Sequence, residues 1–181
     1  MLKINHNEVK IFYTKRWNYI ILGIFPIRDV KEKRTERLES IKAAHKFGKG
    51  DTNTRIEDYL EVISELVELK GYANTLDISR YMNVSAPSVT KMLKRLDENG
   101  YIEYEKYRGI NLTTKGNAIA YGIRQKHGIL LEFFKMLGIE NAVANEDAEG
   151  IEHHLNPKTI KQLRKFITYL KANPKVMSSF E

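Results

Sequence analysis

The chain contains no cysteine. That excludes disulfides, thiolate metal sites and a cysteine nucleophile, so any metal must be held by oxygen and nitrogen. Proline is scarce, with 4 in 181 residues, and tryptophan occurs once. No apolar run approaches the about 20 residues of a membrane-spanning helix. The longest, YIILGIFPI at 19–27, follows Lys15 and Arg16 as a signal peptide would. No small-residue cleavage site follows it, however, and the next stretch is strongly charged. The chain therefore reads as soluble and cytoplasmic, with no membrane partner. A surplus of negative charge is also missing, since the formal net charge is +7. All of that surplus lies in residues 1–50, with 12 Lys/Arg against 5 Asp/Glu, while 51–181 holds 18 of each sign. A DNA-binding segment that is neutral overall must gather its basic groups on one face or have carboxylates masked.

What is present is helical periodicity. KFGKGDTNT at 46–54 is the clearest boundary. Ile56, Tyr59, Leu60, Ile63, Leu66 and Val67 predict a helix over 55–70, stopped by Gly71. A short helix follows over 75–82, and NVS (83–85) makes a turn with Ser85 as N-cap. A third helix over 86–98 buries Val89, Met92, Leu93 and Leu96, and Asn99-Gly100 ends it. The period then changes to two, in short runs either side of Tyr107-Arg108-Gly109, which predicts a β-hairpin. A long helix runs from Thr113 or Thr114 to about 137. Two more are expected at about 140–155 and 157–171, the last started by Asn156-Pro157.

Helix, short helix, turn, helix and hairpin is the order of a winged helix-turn-helix, whose second helix lies in the DNA major groove. The fold class expected is mainly α with a small β-hairpin wing: a winged helix-turn-helix domain over 51–118 and a helical metal-binding and dimerisation domain over 119–181. Residues 1–50 form a basic extension. It could be an arm for DNA, a disordered stretch, a small cap built on Ile21, Leu22 and Phe25, or a segment upstream of the natural start. Ser85, Ser88, Thr90, Lys91, Lys94 and Arg95 fall on the outer part of the third helix, and Lys106 and Arg108 at the hairpin tip. Hydroxyl, ammonium and guanidinium groups are those that reach base edges and phosphates. The same face on a protein-docking module would simply be solvated.

The stretch EDAEGIEHHLNP (146–157) crowds acids and imidazoles together. On a helix, Glu149, Glu152 and His153 share a face, at spacings of three and four, and His154 is turned away as a structural residue. Asp58 and Glu61 are three apart on the first helix, in a polar stripe with Glu65, and His127 lies in the long helix. Each alone is compatible with surface or core; convergence would make a site of four carboxylates and two histidines. His6 and His45 read as solvated.

Residues 54 to about 171 resemble the diphtheria-toxin-repressor (iron-dependent repressor) family, and most of all its manganese transport regulator branch. The resemblance is carried by EDYLEVI (57–63), ELKGYA (68–73), SVTKMLKRLDENGYIEYEKYRGINLTTKG (88–116), the His127 region and EGIEHHL (149–155). It implies that Asp58, Glu61, His127, Glu149, Glu152 and His153 hold two divalent metals per chain. It also implies a manganese-dependent repressor that binds a palindromic operator as a homodimer and controls manganese-uptake genes. The iron-sensing branch has Met and Cys where this chain has Asp58 and Glu149; hard oxygens suit Mn²⁺, with Fe²⁺ and Cd²⁺ as further activators. The family's larger members carry a third, SH3-like domain, for which a chain ending at Glu181 has no room. Two other readings stay open. One is an iron-responsive or metal-independent winged-helix regulator. The other is a dinuclear metalloenzyme, disfavoured because Arg124, not Glu, stands three before His127 and no general base is apparent; no catalytic residue is expected.

Overall fold

A computed structural model of the chain describes residues 27–45, 52–105 and 109–177. Its elements run α1 (Ile27–Ala44), α2 (Thr52–Lys70), α3 (Thr75–Met82), α4 (Ala86–Glu98), β1 (Ile102–Glu105), β2 (Gly109–Leu112), α5 (Thr114–Met136), α6 (Asn141–Ile151), α7 (Pro157–Ala172) and α8 (Pro174–Met177). The mainly helical fold with a hairpin wing is as the sequence predicts, and α2 to α7 lie within a few residues of their expected bounds, whereas the sequence reading sets no bounds for α1 and α8.

Local chemistry accounts for the ends. Asn74 caps α3 by accepting the Asp77 N–H at 2.8 Å, and Asn83 closes it in the left-handed conformation. Ser85 stands at the N-cap of α4, but its hydroxyl bonds Ser88 Oγ at 2.9 Å rather than a backbone N–H. Thr113 caps α5 through the Gly116 N–H at 3.1 Å, and its own hydroxyl donates to Gly100 O at 2.8 Å. This knot ties the wing to α5 so closely that a Cβ on Gly116 would stand 2.0 Å from Tyr101 O, so only glycine fits. The wing is a two-stranded antiparallel hairpin with Ile102 opposite Leu112 and Tyr104 opposite Ile110.

The apolar residues form two cores. One joins Leu60, Ile63 and Leu66 of α2 to Ile78 of α3, Val89, Leu93 and Leu96 of α4, and Ile102 and Ile110 of the wing. The other joins Ile129 and Leu130 of α5 to Ala148, Ile160 and Ile167. The α5 helix serves both cores: its first turns pack on α2 and the wing, and the rest on α6 and α7.

The N-terminal segment contributes more than an extension. Leu38 and Ile41 of α1 are fully buried in the first core, and α1 packs against α2, α3 and α6. Residues 27–44 are therefore a docked helix. The cap expected on Ile21, Leu22 and Phe25 lies outside the described residues, as does His6.

Candidate metal centre

Three helices bring the acidic and imidazole residues to one buried place. Asp58 and Glu61 lie one turn apart on α2, and His127 projects from the middle of α5. Glu149 lies in the last turn of α6 and Glu152 is its C-cap. The helix ends sooner than the sequence predicts. Glu152 N–H still donates to Ala148 O, but His154 N–H reaches back only three residues, to Ile151 O at 3.0 Å. Glu152 keeps helical geometry and stays on the face of Glu149, whereas His153 stands in the following turn, which aims it at α2. His154 is exposed.

All six expected ligands belong to one network. His127 Nδ1 is 2.8 Å from Glu152 Oε2 and 3.8 Å from Glu149 Oε2. One ligand atom from each of His127, Glu149 and Glu152 lies within 4.8 Å of the others. Glu152 is shared: its Oε1 is 3.5 Å from His153 Nε2, which pairs with Asp58 Oδ1 at 3.0 Å. Glu61 and Glu152 are fully buried, and Asp58, His127 and Glu149 nearly so.

At the middle lies a residue the sequence reading missed. Arg37 of α1 donates from Nε to Glu61 Oε1 at 2.8 Å and from Nη2 to Glu61 Oε2 at 2.9 Å, a bidentate fork. Nη2 also reaches Glu152 Oε1 at 2.8 Å, and Nη1 binds Glu149 Oε2 and His127 Nδ1, the latter at 2.9 Å. The guanidinium thus joins Glu61, which the other contacts leave apart, to the His127–Glu149–Glu152 group. A second miss is His45: it is not solvated but half-buried, with Nε2 3.2 Å from Asp58 Oδ2. Glu57 is a third, receiving His153 Nδ1 at 2.8 Å. One signal could have found the first two. Arg34, Leu38, Ile41 and His45 recur at helical spacing and Arg37 lies beside them, so one face of α1 carries apolar anchors flanked by cations.

Asn145 sets the tautomer of His127. Its Nδ2 donates to Asn141 O at 2.7 Å, so its Oδ1 faces His127 Nε2 at 3.1 Å. An oxygen there calls for a proton on Nε2 and leaves the Nδ1 lone pair aimed into the cluster, as a metal-ligating imidazole requires.

The protonation states follow from burial and charge. Burial, then the Arg37 charge, pushes His127 down to about 4, so it is neutral at pH 7. Burial pushes Glu149 up to about 7 and Glu152 to about 8; Arg37 opposes this, and the neighbouring carboxylates add to it. Burial alone would lower His153, but hydrogen bonds to Asp58 and Glu57 outweigh it and hold the ring at about 10. Asp58, despite burial, is held below its ordinary value by hydrogen bonds from His153 and His45. The chemistry suits a divalent cation: buried, hard donors, a neutral imidazole of the right tautomer, and carboxyls that burial, with crowding added to it, brings to retain protons.

On the candidate DNA face, Ser85, Ser88, Lys91, Lys94 and Arg95 of α4 are exposed. Thr90 is half-buried, and its hydroxyl donates to Ala86 O at 3.1 Å. Lys106 and Arg108 lie outside the described residues.

The chain is similar to known proteins. The family model described as "Iron dependent repressor, N-terminal DNA binding domain" matches residues 51–110, and "Iron dependent repressor, metal binding and dimerisation domain" matches 113–181. The HTH-type transcriptional regulator MntR of Lysinibacillus sphaericus is 39% identical over 126 residues, covering 70% of this chain and 91% of that protein. MntR of Bacillus subtilis is 41% identical over 118 residues, 65% of this chain and 83% of that one. Among solved structures, the manganese regulator SloR matches with TM-score 0.56 at 33% identity, over 63% of this chain and 54% of its own. The IdeR of T. acidophilum matches with TM-score 0.56 at 33%, over 62% and 53%. The chain thus spans about half the length of these two structures.

Proposed function

Because the chain belongs to the iron-dependent repressor family, we propose that it is a manganese-dependent transcriptional repressor. It binds operator DNA as a homodimer when its buried centre is loaded, and it controls genes of manganese uptake. The observation that carries this reading is the convergence of His127, Glu149 and Glu152 within 4.8 Å, with Asp58, Glu61 and His153 in the same network. The family is one of transcriptional regulators, and no residue of this centre is assigned a catalytic role. No helix among the described residues is long and apolar enough to cross a membrane; the cytoplasm is where such a regulator would meet DNA.

We assign Asp58, Glu61, His127, Glu149, Glu152 and His153 to a pair of Mn²⁺ ions per chain, with Fe²⁺ or Cd²⁺ as possible replacements. The shared carboxylate of Glu152 is placed to serve both halves. Bound metal would supply positive charge to a segment, 51–181, whose formal charges cancel, strengthening the field that steers DNA approach. The chain's own residues do the rest. Asp58 and Glu61 belong to α2, which is packed with the reading helices α3 and α4; His127, Glu149 and Glu152 belong to helices of the dimerisation domain. A common ligand sphere ties one domain to the other and narrows the range of separations between the two recognition helices of a dimer. Half-sites on one face of DNA lie about 34 Å apart, and a dimer already restricted near that spacing loses less conformational freedom on binding. The face of α4 that presents Ser85, Ser88, Lys91, Lys94 and Arg95, with Thr90 beside it, is the assigned DNA contact, together with Lys106 and Arg108, which fall between the two wing strands in the sequence.

The test is affinity for a palindromic operator across a series of divalent metals and in chelator. Mn²⁺ should strengthen binding strongly; an operator bound equally well in chelator would overturn the reading.

A further inference from the structure

We propose that Arg37 is a tethered cation that seals the metal centre, so that a divalent ion enters by displacing its guanidinium and loosening α1 from the DNA-reading domain. This rests on the metal-centre reading above and extends it to residues outside the stretch matched by the two family models, which begins at 51.

Three observations carry it. First, Arg37 competes for the same atoms. Its Nη1 is bonded to Glu149 Oε2 and lies 2.9 Å from His127 Nδ1, two of the donors that converge with Glu152. An ion coordinated by those atoms would have to take the space the nitrogen fills. Second, the charge is unequal to the task. One guanidinium serves Glu61, Glu149 and Glu152, joined only by the His153 ring 3.5 Å from Glu152, and an ion of twice the charge on the same oxygens would be a stronger partner at the centre. Third, the displaced side chain cannot stay where it is. Arg37 is 7% exposed, and a buried cation without its carboxylates is strongly unfavourable. It must reach water, and its helix neighbours Leu38 and Ile41 are fully buried in the core shared with α2, α3 and α4. Turning Arg37 outward therefore pulls on the packing of α1 against α2 and α3, and α3 directly precedes the recognition helix. Linkage makes the coupling mutual: whatever frees α1 tightens metal binding, and metal frees α1.

The experiment is calorimetric titration of the full chain with MnCl₂, wild type beside Arg37→Ala and Arg37→Lys, with amide hydrogen exchange of residues 30–45 in chelator and in Mn²⁺. Arg37→Ala should bind the same number of ions at least about tenfold more tightly, which corresponds to an unsealed fraction of roughly one-tenth in wild type. Arg37→Lys, which keeps the charge but loses the fork, should fall between. Exchange in α1 of the wild type should quicken with Mn²⁺ and slow again with chelator. Affinity within twofold of wild type in Arg37→Ala, or an α1 equally protected in both states, would overturn the proposal. If Arg37→Ala does not fold without metal, Arg37→Lys and the wild-type exchange decide. Binding lost in His127→Ala but unchanged in the Arg37 variants would refute the seal and keep the metal centre. No Mn²⁺ binding by any variant or by wild type would refute both.

Discussion

Two acid clusters lie along the same helix, α2, one partly open and one buried, and differ instructively. At the first, Glu65 and Glu68 meet two guanidinium groups. Arg34 of α1 reaches Glu65 at 2.9 Å and also Glu68, while Arg124 of α5 approaches the same two residues at 2.7 and 3.1 Å. Two cations face two anions, and Ser64 accepts a further hydrogen bond from Arg124 at 2.9 Å. At the second, one turn away, Glu61, Glu149 and Glu152 share the single guanidinium of Arg37. The first is the more open: Glu65 is buried but Glu68 is exposed, whereas Glu61, Glu149 and Glu152 are all buried. They differ in charge as well: the first sets a guanidinium against each acid, while the second divides Arg37 among three acids, with His153 close to Glu152 alone. Burial raises Glu65 too, but it carries Glu149 to about 7 and Glu152 to about 8. A cluster matched acid for cation fits a structural role, and a buried one with fewer cations than acids and an imidazole among its members fits the cation proposed above.

The contrast can be broken most strongly at His127. Replacing it with alanine should reduce Mn²⁺ affinity by on the order of a hundredfold and leave operator binding nearly insensitive to Mn²⁺, measured by calorimetry and by fluorescence anisotropy with labelled operator. A residual stimulation equal to wild type would show that the imidazole is only packing.

Proton competition comes next. Glu149, at about 7, Glu152, at about 8, and His153, at about 10, must each shed a proton to serve as ligands. Mn²⁺ affinity should therefore rise with pH between 6 and 8, by up to about tenfold per unit for each proton released per ion; titration in buffers of different ionisation enthalpy counts those protons. The metal-free stability runs the other way. A carboxyl whose folded value is raised contributes stability that is full below its ordinary value near 4.5 and is lost as pH climbs through the folded value. Glu149 and Glu152 therefore weaken the metal-free fold between pH 5 and 8, and His153, also raised, contributes in full below its ordinary value of 6.5 and loses that contribution as pH climbs towards about 10. His127 opposes the carboxyls, its contribution being present above its ordinary value of 6.5 and lost as pH falls towards 4. Thermal unfolding in chelator should show the loss from pH 6.5 upward, and Glu149→Gln should flatten it.

Asn145→Ala removes the acceptor that fixes the His127 tautomer. Mn²⁺ affinity should fall by about tenfold while the metal-free unfolding temperature shifts little, since Asn145 is only half-buried. The smallest effect on metal belongs to the balanced cluster. Glu65→Gln should lower stability by roughly 1–3 kcal/mol, because the hydrogen bonds there are to charged groups, yet leave Mn²⁺ affinity within twofold. A large loss of affinity would mean that the two clusters act as one.

Most of the architecture was readable because each element announces itself locally. The apolar spacing of α2 and α4, the alternation around Gly109 and the Asn156-Pro157 start of α7 all act within a few residues, and the helices end close to where those signals place them. The candidate ligands were readable in part for the same reason: Asp58 with Glu61, and Glu149 with Glu152, sit one turn apart and so share a face wherever the helix goes. His45 was misread for the opposite reason. Its spacing from Leu38 and Ile41 marks the docked face of α1, but does not name Asp58, thirteen residues on and in another helix, whose proximity follows from the docking of α1 on α2.

The chain alone determined the helical periods, the caps, the wing and the candidate ligands, because these depend on neighbours within one or two turns. Only the tertiary structure decided that an arginine 24 residues before Glu61 and 112 before Glu149 lies among them. The burial of Leu38 and Ile41 sets where that guanidinium goes, and low-dielectric surroundings make the charge count of the whole cluster matter.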